Sequence, residues 1–262
     1  MTTSAEPAGA RRQRLTIFAC IAIVCALAWG YLVFLGQQMS SSAVEVSMMD
    51  MGMAMNASWG VTDTVFTFAM WTVMMVGMMT PSAAPVLMVF AASHVRRHEG
   101  RVPPAVLAFG VGYIVVWAAF SLLATLAQWA MHEAALLSST MATTSPYLAG
   151  AILIAAGVYQ LTSLKRACLA HCQTPMGFLM SHWRDGTRGA FRMGLLHGRY
   201  CVGCCWVLMC VLFAVGVMNL LWVAALTAFI LVEKLGYGGA RLSHVGGIVL
   251  IIAGVLKLAL AR

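Results

Sequence analysis

The chain has 262 residues, of which 61% are hydrophobic and 9% charged, and its mean hydropathy is +0.88. These values exclude a soluble globular domain and a small disulfide-stapled secreted domain, and they leave a multi-pass membrane protein. The formal net charge of +8 does not point to nucleic acid, because the cations fall in short segments between apolar stretches.

Stretches of about 20 apolar residues occur seven times, at 15–36, 65–91, 104–129, 147–164, 195–217, 220–235 and 243–260. The expected fold is all-α, a membrane helical bundle of about seven transmembrane helices. Residues 1–14 form an N-terminal tail carrying Arg11, Arg12 and Arg14. The 15–36 stretch exceeds a signal-peptide core of about 7–15 residues and no small-residue cleavage site follows, so it reads as a retained signal anchor. A loop over 37–64 comes next, and 65–262 is the membrane domain proper.

That loop contains 48-MMDMGMAM-55, with Met48, Met49, Met51, Met53 and Met55 close together among 20 methionines in the chain. Thioether sulfur is a soft ligand that suits Cu(I) and disfavours Mg²⁺ and Ca²⁺. Methionine is also a flexible apolar filler, but a filler has no reason to cluster.

The second span contains 70-MWTVMMVGMMTPSAAPVLM-88. Met70, Met74 and Met78 form one i, i+4, i+8 row, and Met75 and Met79 form another. Residues so spaced are neighbours on a helix surface. Met74, Met75, Met78 and Met79 therefore make a candidate sulfur-rich metal face near mid-membrane. Pro81 and Pro85 each remove a backbone donor and predict a helix break beside that face.

The third span offers no chemistry, and His132, Glu133 and Asp63 read as polar loop residues. After the fourth span comes 168-CLAHC-172. Cys168 and Cys172 would share one helix side, and with a further thiolate they could complete a tetrahedral Zn²⁺ site or a Cu(I) uptake site.

The fifth span contains 194-GLLHGRYCVGCCWVLM-209. His197, Cys201 and Cys205 are four apart, a row that drifts by about 40° per step on a helix. Three ligands can share one sphere, so the expected trio is His197, Cys201 and either Cys204 or Cys205. Gly194, Gly198 and Gly203 would permit close helix contact. Glu233-Lys234, at the end of the sixth span, reads as an interfacial ion pair. His94, His98, His182 and His244 read as solvated, and Cys20, Cys25 and Cys210 as packing.

Fourteen of the 16 Lys and Arg residues fall in the N-terminal tail or near alternate inter-span segments. The excess of cations marks the cytoplasmic side. The N-terminus is thus expected inside and the methionine-rich loop outside. No internal repeat and no phosphate-binding loop is present, so neither an inverted-repeat transporter nor an ATP-driven pump is supported.

Three segments, M-W-x-V-M-M-x-x-M-M-x-P-S-x-x-P, K-x-x-C-L-x-x-C and H-G-x-Y-C-x-G-C-C-W-x-L-M, together resemble the predicted metal-binding integral membrane protein family, over roughly residues 65–260. That family includes the bacterial membrane copper chaperone of a tyrosinase. The resemblance implies copper handling in a bacterial inner membrane, with a client copper enzyme or membrane complex as partner and no nucleic acid. The expected function is Cu(I) binding and hand-over by ligand exchange, without an enzymatic step. Two rivals stand beside it: a thiol redox protein using Cys201 and Cys204, and an accessory subunit of a copper-dependent membrane oxygenase.

Overall fold

The computed structural model describes residues 8–49, 59–96, 102–138, 141–236 and 238–261, with the backbone alone for 8–11, 39–49 and 96. Among the described residues there are nine α-helices: α1 (Ala8–Met49), α2 (Val61–Arg96), α3 (Val102–Glu133), α4 (Pro146–Gln160), α5 (Ser163–Gln173), α6 (Pro175–His182), α7 (Gly186–Val215), α8 (Leu220–Leu235) and α9 (Gly239–Ala259). The one β feature among them is a bridge between Leu137 and Thr143.

Local chemistry sets several helix ends. Ser145 caps α4 through its hydroxyl, 3.3 Å from the Leu148 amide, and Pro146 follows at the first helical position. Thr162 caps α5 in the same way. Helix α7 stops at Gly216, whose φ of 101° a side chain would strain, and Asn219 caps α8. That pair of signals fixes the junction between the fifth and sixth apolar stretches.

Five helices, α1, α2, α3, α7 and α9, are long and apolar enough to cross a membrane. Helices α4 and α5 meet at 64° and make a sixth crossing if they act as one broken span. Helix α8 has 16 residues, or about 24 Å, short of a hydrocarbon core of about 30 Å. The expected first loop is also corrected. Helix α1 continues to Met49, so the segment 37–49 is helical rather than loop.

Helices α2 and α7 form the centre, and α3, α4 and α5 pack on α7 while α1 and α3 pack on α2. Close approach is made by glycine. A Cβ on Gly194 of α7 would stand 2.0 Å from the Phe109 carbonyl oxygen of α3. Between α4 and α9, a Cβ on Gly157 would stand 2.5 Å from the Gly247 carbonyl oxygen. Such small-residue contacts let helix backbones touch.

Helix α2 passes through Pro81 and Pro85 without interruption, which corrects the predicted break. A proline survives in such a helix when neighbouring helices and hydroxyls serve the local carbonyls. The prolines free the carbonyls of Gly77 and Pro81; between them the Met79 carbonyl accepts from the Ser82 hydroxyl at 2.8 Å and from the Tyr113 hydroxyl at 3.1 Å.

Candidate metal centre

Three elements bring sulfur together, and a fourth adds a cation. Helix α7 supplies Cys201, Cys204 and Cys205, helix α5 supplies Cys172, and helix α2 supplies Met79; α8 adds Lys234. All six side chains are buried. The Cys205 thiol lies 3.9 Å from Met79 Sδ. Cys204 and Cys205 both donate to the Cys201 carbonyl, at 3.1 and 2.9 Å. Cys172 is buried on α5, which packs on α7. The sequence pattern suggested a thiolate site and a separate mid-membrane thioether site. The fold joins them at Met79.

At the middle of the cluster stands the ammonium of Lys234. Its Nζ is 2.9 Å from Cys201 Sγ, 3.2 Å from Ser82 Oγ, and 4.0 Å from both Cys205 Sγ and Met79 Sδ. The Tyr113 hydroxyl is 3.0 Å from Cys201 Sγ on the other side. A buried cation requires a counter-charge. Cys201 is the nearest group able to supply one.

Sequence reasoning missed this lysine. Glu233 and Lys234 do not pair with each other. The Glu233 carboxylate pairs with Lys165 of α5 at 2.6 Å and accepts a hydrogen bond from Ser243 of α9. Lys165 also donates to Gln160. Lys165 and Glu233 are both fully buried. The signal was available: adjacent residues on a helix point about 100° apart. Two of the cations that entered the orientation argument, Lys165 and Lys234, are therefore interior groups rather than loop charges.

The remaining candidates divide. Met74, Met75 and Met78 are buried beside Met79 in the core. His197 is buried among the rings of Phe109, Tyr113 and Phe178, and its Nδ1 has no hydrogen-bond partner. Cys168 is half-buried and packs on Gly203, where a Cβ would meet its sulfur at 2.8 Å. His171 stacks on Tyr200 at 4.0 Å, outside the cluster. Met48 and Met49 end α1 with their side chains outside the description, and Met51, Met53 and Met55 lie outside the described residues. All eight cysteines are free thiols. Among the described residues, no three His, Cys, Asp or Glu side chains are already spread around a common point as metal ligands.

The donor set is soft: thiols and a thioether, with carboxylates held away from it. It suits a thiophilic ion better than a hard one. A sulfur-lined interior within long apolar helices defines the class: a helical bundle with a soft-donor core. The profile of the PpoB2 family, described as a copper chaperone, matches residues 68–257. The chain belongs to that copper chaperone family, as its motifs led one to expect. Comparison with curated proteins and with solved structures finds no match.

Proposed function

We propose that this protein is a multi-pass inner-membrane carrier of Cu(I) that hands the ion to a copper enzyme. The observation that carries the reading is the convergence of Cys201, Cys205 and Met79 on one buried point, in a chain of the copper chaperone family. Cu(I) accepts two or three soft ligands, so a dithiolate with a thioether is a sufficient sphere. Exchange then proceeds sulfur by sulfur, Met79 linking the thiols to the buried row Met78, Met75 and Met74. Cys204 and Cys172 border the site and are candidates to take over a ligand position during exchange. The reading assigns no catalytic step.

In this reading the N-terminus is cytoplasmic and the bundle crosses seven times, with α4–α5 as a bent crossing and α8 as a short one. The methionines from Met48 to Met55 then lie on the outer side as the transfer partner of a client enzyme. Zn²⁺ at Cys168 and Cys172 has less support, because Cys168 is half-buried against Gly203 while Cys172 is buried, and among the described residues no group of three His, Cys, Asp or Glu ligands is assembled.

The test is metal analysis of purified protein under reducing conditions. Cys201→Ser with Cys205→Ser should lower bound Cu(I) at least about tenfold, because serine oxygen is a hard donor. Cys20→Ser, outside the cluster, should leave it unchanged. Equal copper in the two variants would remove the cluster from the proposal. A thiol redox protein would instead cycle a Cys201–Cys204 disulfide and purify free of copper.

A further inference from the structure

Softness alone does not specify copper. Thiolates bind Zn²⁺ and other divalent thiophilic ions as readily as they bind Cu(I). What distinguishes this cluster from a plain thiol site is a lysine side chain whose Nζ lies inside it. The Lys234 side chain is 3% exposed, and three of the four groups around its ammonium are sulfur atoms.

We infer that Lys234 is the specificity-determining residue of the site, admitting a monovalent soft ion and opposing a divalent one by charge. The inference rests on the copper reading above. The ligands nearest the ammonium are two cysteines and a neutral thioether. Two thiolates, one monovalent ion and one ammonium sum to zero charge. With a divalent ion the same groups carry one uncompensated positive charge, in an interior where such a charge is costly. Of the other groups at the site, Ser82 and Tyr113 contribute hydroxyls, and Cys204, whose thiol donates to the Cys201 carbonyl, and Cys172 enter the count as neutral thiols. The neighbouring Lys165–Glu233 pair cancels itself and leaves the count unaltered.

Without Lys234 the balance reverses. A Cu(I) dithiolate would then be a buried anion, and a divalent dithiolate would be neutral. The lysine thus does for charge what sulfur does for softness, and together they leave Cu(I) and its monovalent congener Ag(I) as the ions accepted.

The experiment measures Cu(I) and Zn(II) affinities of the full chain in detergent, by competition with chromophoric chelators. In Lys234→Met the ratio of Cu(I) to Zn(II) affinity should fall at least tenfold, with Zn(II) binding strengthened rather than merely spared. Lys234→Gln, which can still hydrogen-bond to Ser82, should behave like the methionine variant. Lys234→Arg, which keeps the charge, should hold the ratio within about threefold of the wild type, where tenfold corresponds to about 1.4 kcal/mol. A purely structural lysine would weaken both metals together and leave the ratio fixed, which overturns the inference while the copper site stands. Wild-type protein that binds Zn(II) through Cys201 and Cys205 more tightly than Cu(I) would overturn it with no variant at all. Wild-type protein whose Cu(I) binding ignores Cys201→Ser with Cys205→Ser would overturn both the inference and the copper reading.

Discussion

Glu233→Gln is the most direct test of how the fold holds its sulfur cluster. The carboxylate lies 2.6 Å from Lys165 Nζ, and both side chains are fully buried. At an effective dielectric of about 20, that separation gives an attraction of about 6 kcal/mol. Desolvation of both ions offsets much of it, so the pair adds little over an apolar contact. Removing one partner is different. Glutamine keeps the shape and the hydrogen bond from Ser243 but leaves the Lys165 ammonium with Gln160 alone. The expected loss is about 3–5 kcal/mol of stability. Replacing both ions, as Lys165→Met with Glu233→Leu, should recover at least half of that loss. Reversible unfolding in mixed micelles, followed by tryptophan fluorescence and circular dichroism, measures all three proteins. A Glu233→Gln variant within about 1 kcal/mol of the wild type would refute the charge argument. So would a double variant less stable than the single one, because the loss would then belong to packing.

Three further outcomes follow from the geometry. Gly194→Ala sets a methyl 2.0 Å from the Phe109 carbonyl oxygen, and should cost about 1–3 kcal/mol as α3 is forced away, carrying Tyr113 from Cys201; Gly198→Ala, which meets the Val116 side chain at 2.9 Å, should cost less in the same unfolding assay. Met79→Leu preserves volume and should cost under about 1.5 kcal/mol, yet lower Cu(I) affinity, since its sulfur is the one that touches Cys205. The triple variant of Met74, Met75 and Met78 to Leu should retain Cu(I) and fail in delivery to a client; normal delivery by that variant, measured as client metallation at limiting copper, would remove the methionine row from the path.

Much of the helix order could be read from hydropathy alone, and the sixth stretch matches α8 at both ends. Apolar length is a direct physical requirement of a helix in lipid, so it leaves a plain trace. The extension of α1 to Met49 left none, because polar residues near a helix end carry little hydropathic signal. The break at Leu161–Thr162 was readable in principle from the Thr162 cap, but a cap inside an apolar run is easily overlooked. At the site, the cysteines of α7 and the methionine rows were found by their spacing. Their union was not, since Met79 and Cys205 meet only through the packing of α2 on α7. Cys168 and Cys172 share one side of a helix by spacing, yet only Cys172 is buried, Cys168 lying half-buried against Gly203. Lys234 was misread because its neighbour Glu233 offered an obvious partner. That both adjacent charges turn inward, toward different partners, depends on the rotation of α8 within the bundle, a tertiary property.

The adjacency of Glu233 and Lys234 also bears on how the chain is made. Synthesis runs from the N-terminus, so Lys165 and Cys201 leave the ribosome before either residue of α8. The acceptor on α5 and the thiol on α7 therefore exist when these charges arrive, and Ser243 of α9 follows them. Two neighbouring ions on a 16-residue helix are poorly retained in lipid on their own. Helix α8 can be held stably only by docking, with Glu233 locking to α5 and α9 as Lys234 enters the sulfur cluster. Docking of α8 and assembly of the sulfur cluster are thereby one event, and a chain that fails to bring its thiols together would leave α8 with two unpaired charges.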